Sequence, residues 1–208
     1  MYQGVHKVDP APDIPRRLPR GTHGLDPSLV AASQRTRLLG AVGREVAEKG
    51  YNAATIDDIV RAAGVSKQTF YEHFADKLDC FLAAYEAASD ELFEHVRAAQ
   101  DGPEEWVERT RAGIRAYLRW LAAEPALARV FLIEIAAAGP EALERRERMR
   151  DRYAERLREL QVSDGVPDEI FHAVVAAADD LVVRRLRAGH DLRELEPVLA
   201  DLQLALLR

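Results

Sequence analysis

Around two phenylalanines four residues apart, Phe70 and Phe74, stands a compact polar array: Lys67, Gln68, Thr69, Tyr71 and His73. If the stretch is helical, the two rings share one inward face and the polar groups are left on the remaining surface. Lys and Gln can hydrogen-bond base edges, Thr can meet a thymine methyl, and Tyr and His can bond phosphate oxygens. Glu72 is the only acid among them. Lys77 opens the next helical stretch, where its ammonium and the first N–H groups can share a phosphate. Taken one residue at a time, an ordinary helical hairpin with a polar face explains the same array.

The elements that must position this array are legible in the preceding residues. Thr55 is a good N-cap, with Asp58 placed to reach back in a capping box. Ile56, Ile59, Val60 and Ala63 make one apolar face, and Gly64 can take the left-handed conformation that ends the helix. Val65 can plug the angle between two helices, and Ser66 caps the second. Two short helices joined by a turn containing glycine are the helix-turn-helix pattern.

Residues 37–77 resemble the DNA-binding domain of TetR-family repressors. The matching stretches are Ala47-Glu48-Lys49-Gly50-Tyr51, Thr55 with Ile59, Ala62-Ala63-Gly64-Val65-Ser66, and Thr69-Phe70-Tyr71-Glu72-His73-Phe74 followed by Lys77. The resemblance implies that Thr55, Lys67, Gln68, Thr69, Tyr71, His73 and Lys77 touch operator DNA, Tyr71 and His73 mainly on its backbone; the cap Ser66 is grouped with them. It further implies a nine-helix homodimer whose C-terminal part holds a small-molecule pocket. Three positions depart from the pattern: Gln68 where glycine is common, Val46 for an aromatic residue, and Gly43 for a larger apolar one. Gly40 and Gly43 are expected to loosen the first helix, at about 1 kcal/mol each relative to alanine.

The whole chain has 208 residues, 48% of them hydrophobic and 31% charged, enough for a sizeable core. Residues 1–77 hold 11 Lys/Arg against 9 Asp/Glu, a balance of +2, whereas residues 78–208 hold 18 against 26, a balance of −8. An acidic body with a mildly basic head confines DNA contact to one end. Residues 1–27 contain five of the ten prolines and read as a disordered arm, either solubilising, or following a DNA backbone or entering a minor groove through Lys7, Arg16, Arg17 and Arg20. From Ser28 no segment reads as a strand. The expectation is an all-α chain of about nine helices, three short ones to Phe74 and six longer ones. A DNA-reading domain is expected at 28–76, and a ligand-binding and dimerisation domain at 77–208.

The body offers weaker signals. A helix over Glu104–Ala123 puts Trp106, Thr110, Gly113, Tyr117 and Trp120 on one side, either as core or as the lining of a cavity for a flat or long apolar ligand. Phe131 and Glu134 sit in the run Phe131-Leu132-Ile133-Glu134-Ile135; a carboxylate there needs an arginine or a place in a cavity. Phe171 and His172 are further candidates for that lining. Val175, Leu181, Val182, Leu199, Leu202 and Leu206 lie on two late helices that are apolar on more than one side, and the resemblance implies that these helices meet their copies in a second subunit. The Arg/Glu-rich run 144–159 reads as a solvated helix face. Cys80 reads as a small buried hydrophobe. No phosphate loop, nucleophile motif or His/Cys metal spacing is present, so neither an enzyme, a cofactor nor a metal is expected. No run is long and apolar enough to span a membrane and no secretory signal is seen, so a cytoplasmic protein is expected.

Overall fold

A computed structural model of the chain describes residues 26–160 and 165–207. Most of the expected arm, residues 1–25, lies outside the described residues. Its last two positions belong to the first helix, α1 (Pro27–Lys49): the Asp26 side chain accepts from the Ser28 N–H, and Pro27 occupies the first turn. Proline suits that position because its missing N–H has no helical partner there anyway.

Eight further helices follow: α2 (Ile56–Ala63), α3 (Lys67–His73), α4 (Lys77–Asp101), α5 (Trp106–Ala123), α6 (Pro125–Leu132), α7 (Pro140–Leu160), α8 (Asp168–Ala188) and α9 (Glu196–Leu206). Short 3-10 turns precede α7 and α9. The fold is all-α, with no strand among the described residues. The expectation of three short helices before Phe74 fails for α1, which runs for 23 residues. Its glycines do not break it. A Cβ on Gly43 would stand 3.3 Å from the Leu127 side chain, so the missing side chain lets α6 lie close against α1. α5 begins at Trp106, two residues later than expected.

The turn between α2 and α3 forms as its residues dictate. Thr55 accepts from the Asp58 N–H while the Asp58 carboxylate accepts from the Thr55 N–H, closing the capping box. Gly64 ends α2 at φ 65°, a left-handed conformation that a side chain would strain. Arg37 of α1 donates to the carbonyl of Ala63, tying the turn to the long helix. Phe70 and Phe74 are buried in a core with Leu38, Val42, Val46 and Ile59. That core continues past residue 76 into Cys80, Phe81 and Tyr85 of α4 and Val130 and Phe131 of α6, so α3 rests on the same packing as the body. Burial pushes the Cys80 thiol up to about 12 and leaves it neutral, as its apolar reading requires.

Asp58 gives this region a pH dependence. Lys49 at 2.9 Å and the Thr55 hydroxyl and N–H hold its carboxyl well below the usual carboxylate range. A carboxylate whose folded pKa is lowered contributes stability that is complete above its ordinary value, near 3.8, and lost as the pH falls towards the folded value. Thermal unfolding of the native protein and Asp58→Asn should therefore differ at pH 7 and converge below pH 3.8. A gap that persisted undiminished in acid would assign the Asp58 contribution to packing instead of charge.

Candidate functional site

The surface of α3 presents the array foreseen from the sequence. Tyr71 is 53% exposed and packs edge-on against buried Phe70. Lys67 and Gln68 are exposed beside it, with Thr69 and His73 half-buried. Each of these groups, Tyr71 apart, already has a protein partner. Lys67 pairs with Asp57 at 2.9 Å, and the Gln68 amide donates to Glu72 at 3.2 Å. Ser66 caps α3 by accepting from the Thr69 N–H, the two hydroxyls lying 2.9 Å apart. His73 Nε2 lies 3.4 Å from the Gln34 amide oxygen of α1. Thr55 stays exposed as the cap of α2.

Lys77 departs from expectation. Its ammonium donates to the carbonyls of Tyr51 at 2.7 Å and Ala54 at 2.9 Å, and lies 4.3 Å from the centre of the Tyr51 ring. Burial draws its pKa down from the ordinary lysine value. The charge expected on a phosphate thus clamps the loop between α1 and α2. Glu134 acts on the same loop. Among the described residues it meets no arginine: its carboxylate accepts from the Tyr51 N–H at 3.1 Å, beside Gly50, whose φ of 81° turns the chain out of α1. Glu134 lies two residues past the end of α6, at the start of the 3-10 turn that follows it, so the segment leaving α6 is bonded to the loop that sets α2.

α6 also forms part of a cavity. A space of about 130 Å³ lies among α4, α5, α7, α8 and α9, with Phe131 and Leu132 of α6 in its wall. Of the eight expected ligand contacts, Tyr117 and Phe131 line it. Trp120 stands behind that wall, stacked on Phe131 at 5.9 Å between ring centres. Thr110 is buried on α5 away from the lining. Trp106 and Phe171 pack in a separate cluster with Ala154, Leu157 and Leu207, where Arg158 covers the Phe171 ring. His172 is exposed, its Nδ1 3.5 Å from Asp151. The aromatic stripe misled because its helix turns two tryptophans to two different clusters.

Apart from Tyr117, sequence reading did not place the polar groups of the cavity. Asp179 of α8 accepts from Arg150 Nε at 2.9 Å, Arg146 Nη2 at 3.3 Å and the Tyr117 hydroxyl at 3.3 Å. Burial first, and the Asp179 charge second, push the Tyr117 phenol well above its ordinary value, so it remains a donor. Tyr153 lines the same wall, its hydroxyl buried without a partner among the described residues. The signal was there: Arg146, Arg150 and Tyr153 fall at i, i+4 and i+7, one face of the helix read as solvated.

The expected dimer residues divide. Val182 is 0% exposed, and Val175 and Leu199 are buried as well, because each faces the chain's own core. They have no surface to offer a second subunit. Leu181 and Leu202 are half-buried, and Leu206 is 40% exposed. Val198, another apolar residue of α9, is 50% exposed.

Comparison with known proteins places these features. The chain matches the family described as "Bacterial regulatory proteins, tetR family" over residues 39–84 and that described as "Tetracyclin repressor-like, C-terminal domain" over residues 103–183. It is 35% identical to the HTH-type transcriptional activator FasR of Mycolicibacterium smegmatis over 88 residues, 42% of this chain and 40% of that protein. It is 29% identical to the HTH-type transcriptional repressor AcnR of Corynebacterium diphtheriae over 177 residues, 80% of this chain and 87% of that one. Among solved structures, the transcriptional regulator FadR of Bacillus subtilis, in complex with stearoyl-CoA, superposes with a TM-score of 0.74 at 18% identity, covering 83% of this chain and 99% of that one. At that identity the likeness is one of fold.

Proposed function

The chain belongs to the TetR family of bacterial DNA-binding transcriptional regulators, and we propose that it is a repressor released from a palindromic operator when a small, largely apolar ligand fills the body cavity. Residues 28–76 read DNA, residues 77–208 sense the ligand, and the protein acts in the cytoplasm as a homodimer without catalysing a reaction. The observation that carries the reading is the continuity between its two ends. Phe131 and Leu132 line the cavity, and two residues on, Glu134 holds the Tyr51 N–H at the root of α2. Filling the cavity displaces α6, which is packed on α1 and leads through Ile133 to the Glu134 bond on that loop. Repression is favoured over activation by AcnR, which aligns with far more of the chain than the activator FasR does. Val198 and Leu206 of α9, together with Leu181 of α8, are assigned to the second subunit, whereas Leu202 lines the cavity of its own chain.

The test is binding to symmetric duplexes whose half-sites lie about one or two helical turns apart. Gln68→Ala should relax preference at a single base pair per half-site, by about 1–3 kcal/mol. Tyr71→Phe should weaken all sequences alike, by about tenfold, since a phosphate contact carries no sequence information. Selectivity lost at one base pair in Tyr71→Phe would reverse the two roles. Release follows from linkage: a ligand lowers DNA affinity only by its preference for the non-binding arrangement, about 1–3 kcal/mol, and operator DNA must weaken ligand binding by the same factor. A bound ligand with equal affinity for free and operator-saturated protein would not be an inducer.

A further inference from the structure

The cavity is long for its volume. Its wall on α4 runs from Tyr85 to Gln100, about 22 Å of helix at about 1.5 Å per residue. Its volume is only about 130 Å³. A compact ring system would occupy one segment of such a bore and leave the rest empty, whereas an unbranched chain can fill it. The polarity is also divided. α4 and α7 run side by side in the same direction, Glu86 meeting Arg145 and Gln100 meeting Arg156. Tyr85 therefore lies at the level of Arg146, Arg150 and Asp179, and Val96, Gln100 and Ile114 lie at the other end, whose lining among the described residues carries no charge.

Two features ask for a ligand head. Arg146 and Arg150 share one carboxylate, Asp179; Arg150 has a second acceptor in Glu147 at 2.8 Å, but among the described residues Arg146 pairs with Asp179 alone, at 3.3 Å. The Arg146 Nε–H and the Tyr153 hydroxyl are buried with no acceptor among the described residues. Buried donors are ordinarily paired. The opposite end is closed by Gln100, whose amide oxygen accepts from Arg156 Nε at 3.1 Å. Its side chain fits only because residue 113 is glycine: a Cβ there would lie 2.5 Å from Gln100 Nε2.

We propose that the cavity is a length-gauged site for a straight-chain acyl compound, its carboxylate or carbonyl oxygen taken by Arg146 and Tyr153 and its chain end stopped at Gln100 against Gly113. The proposal rests on the reading of this cavity as the ligand site. It makes Arg146 and Tyr153 head-group determinants and Gln100 a ruler.

The experiment is calorimetric titration of the full chain, without DNA, with straight-chain carboxylates of increasing length. Parallel arms use acyl thioesters, alkyl-trimethylammonium ions and fused-ring aromatic carboxylates. Affinity should rise about fourfold per methylene and stop abruptly at one length. The cationic and fused-ring series should bind at least tenfold more weakly than the best carboxylate. If thioesters outbind carboxylates, the head is a neutral carbonyl; if the reverse, an anion; either result sustains the proposal. Tyr153→Phe should weaken the acyl series about tenfold and leave the cationic series unchanged. Gln100→Ala should move the cut-off to longer chains and Gly113→Ala to shorter ones, in proteins whose unfolding transitions remain cooperative. No length cut-off, equal binding of ring compounds, or a cut-off unmoved in both variants would overturn it. Acyl chains that bind with the expected cut-off yet leave operator affinity unchanged would remove the proposed release and leave this site standing.

Discussion

Replacing Lys77 by alanine is expected to cost about 2–4 kcal/mol of stability, because two partly buried carbonyls lose their donor at once. The ammonium bonds Tyr51 O and Ala54 O and covers the Tyr51 ring, so three contacts on the loop between α1 and α2 depend on one atom. A lysine on a phosphate predicts something different. Its removal leaves the melting temperature alone and makes the slope of log affinity against log salt shallower by about 0.9. Urea unfolding and a salt titration on the same variant separate the two. A stable Lys77→Ala protein with a shallower salt slope would return Lys77 to the DNA.

Loss of Asp179 should have a larger effect still. One carboxylate serves two guanidinium groups and the Tyr117 hydroxyl, and the side chains of Asp179, Arg146 and Arg150 are 13%, 16% and 25% exposed. Removing one partner of a buried pair leaves uncompensated charge, which costs about 3–5 kcal/mol. An exposed pair would cost no more than about 1 kcal/mol. Asp179→Ala should thus unfold at markedly lower denaturant, and adding Arg146→Met and Arg150→Met should recover most of the loss. If Asp179→Ala lost less than about 1 kcal/mol, water would be shown to reach the cluster and screen it.

The contrast between these residues and the α2–α3 turn explains what the sequence could reveal. Thr55, Asp58, Gly64 and Ser66 act on backbone groups three or four residues away, so their spacing alone specifies the turn. Phe70 and Phe74 declare their face by periodicity. Lys77 bonds carbonyls 23 and 26 residues away, and Asp179 meets arginines 29 and 33 residues away. No local pattern encodes such distances. α7 carries arginine on most of its circumference, so its composition says solvent while one face turns inward. α8 and α9 are apolar on several sides. Their burial was legible, but not whether Val182 met its own chain or Leu206 stayed outside.

The occupied state of the reading helix bears on how such a protein spends its time along a chromosome. For a regulator that reads DNA with α3, bulk sequence offers phosphates and little else, and Lys67 reaches one only by leaving Asp57. One contact is exchanged for another, and the general hold is correspondingly lighter. The pair is exposed and worth no more than about 1 kcal/mol, so it acts as a brake and not a lock. Gln68 likewise leaves Glu72 only for an acceptor or donor at least as good, which a matching base edge supplies and a random one does not. With about 10⁶–10⁹ competing sites in a genome, short residence on the wrong ones decides how quickly the right one is found.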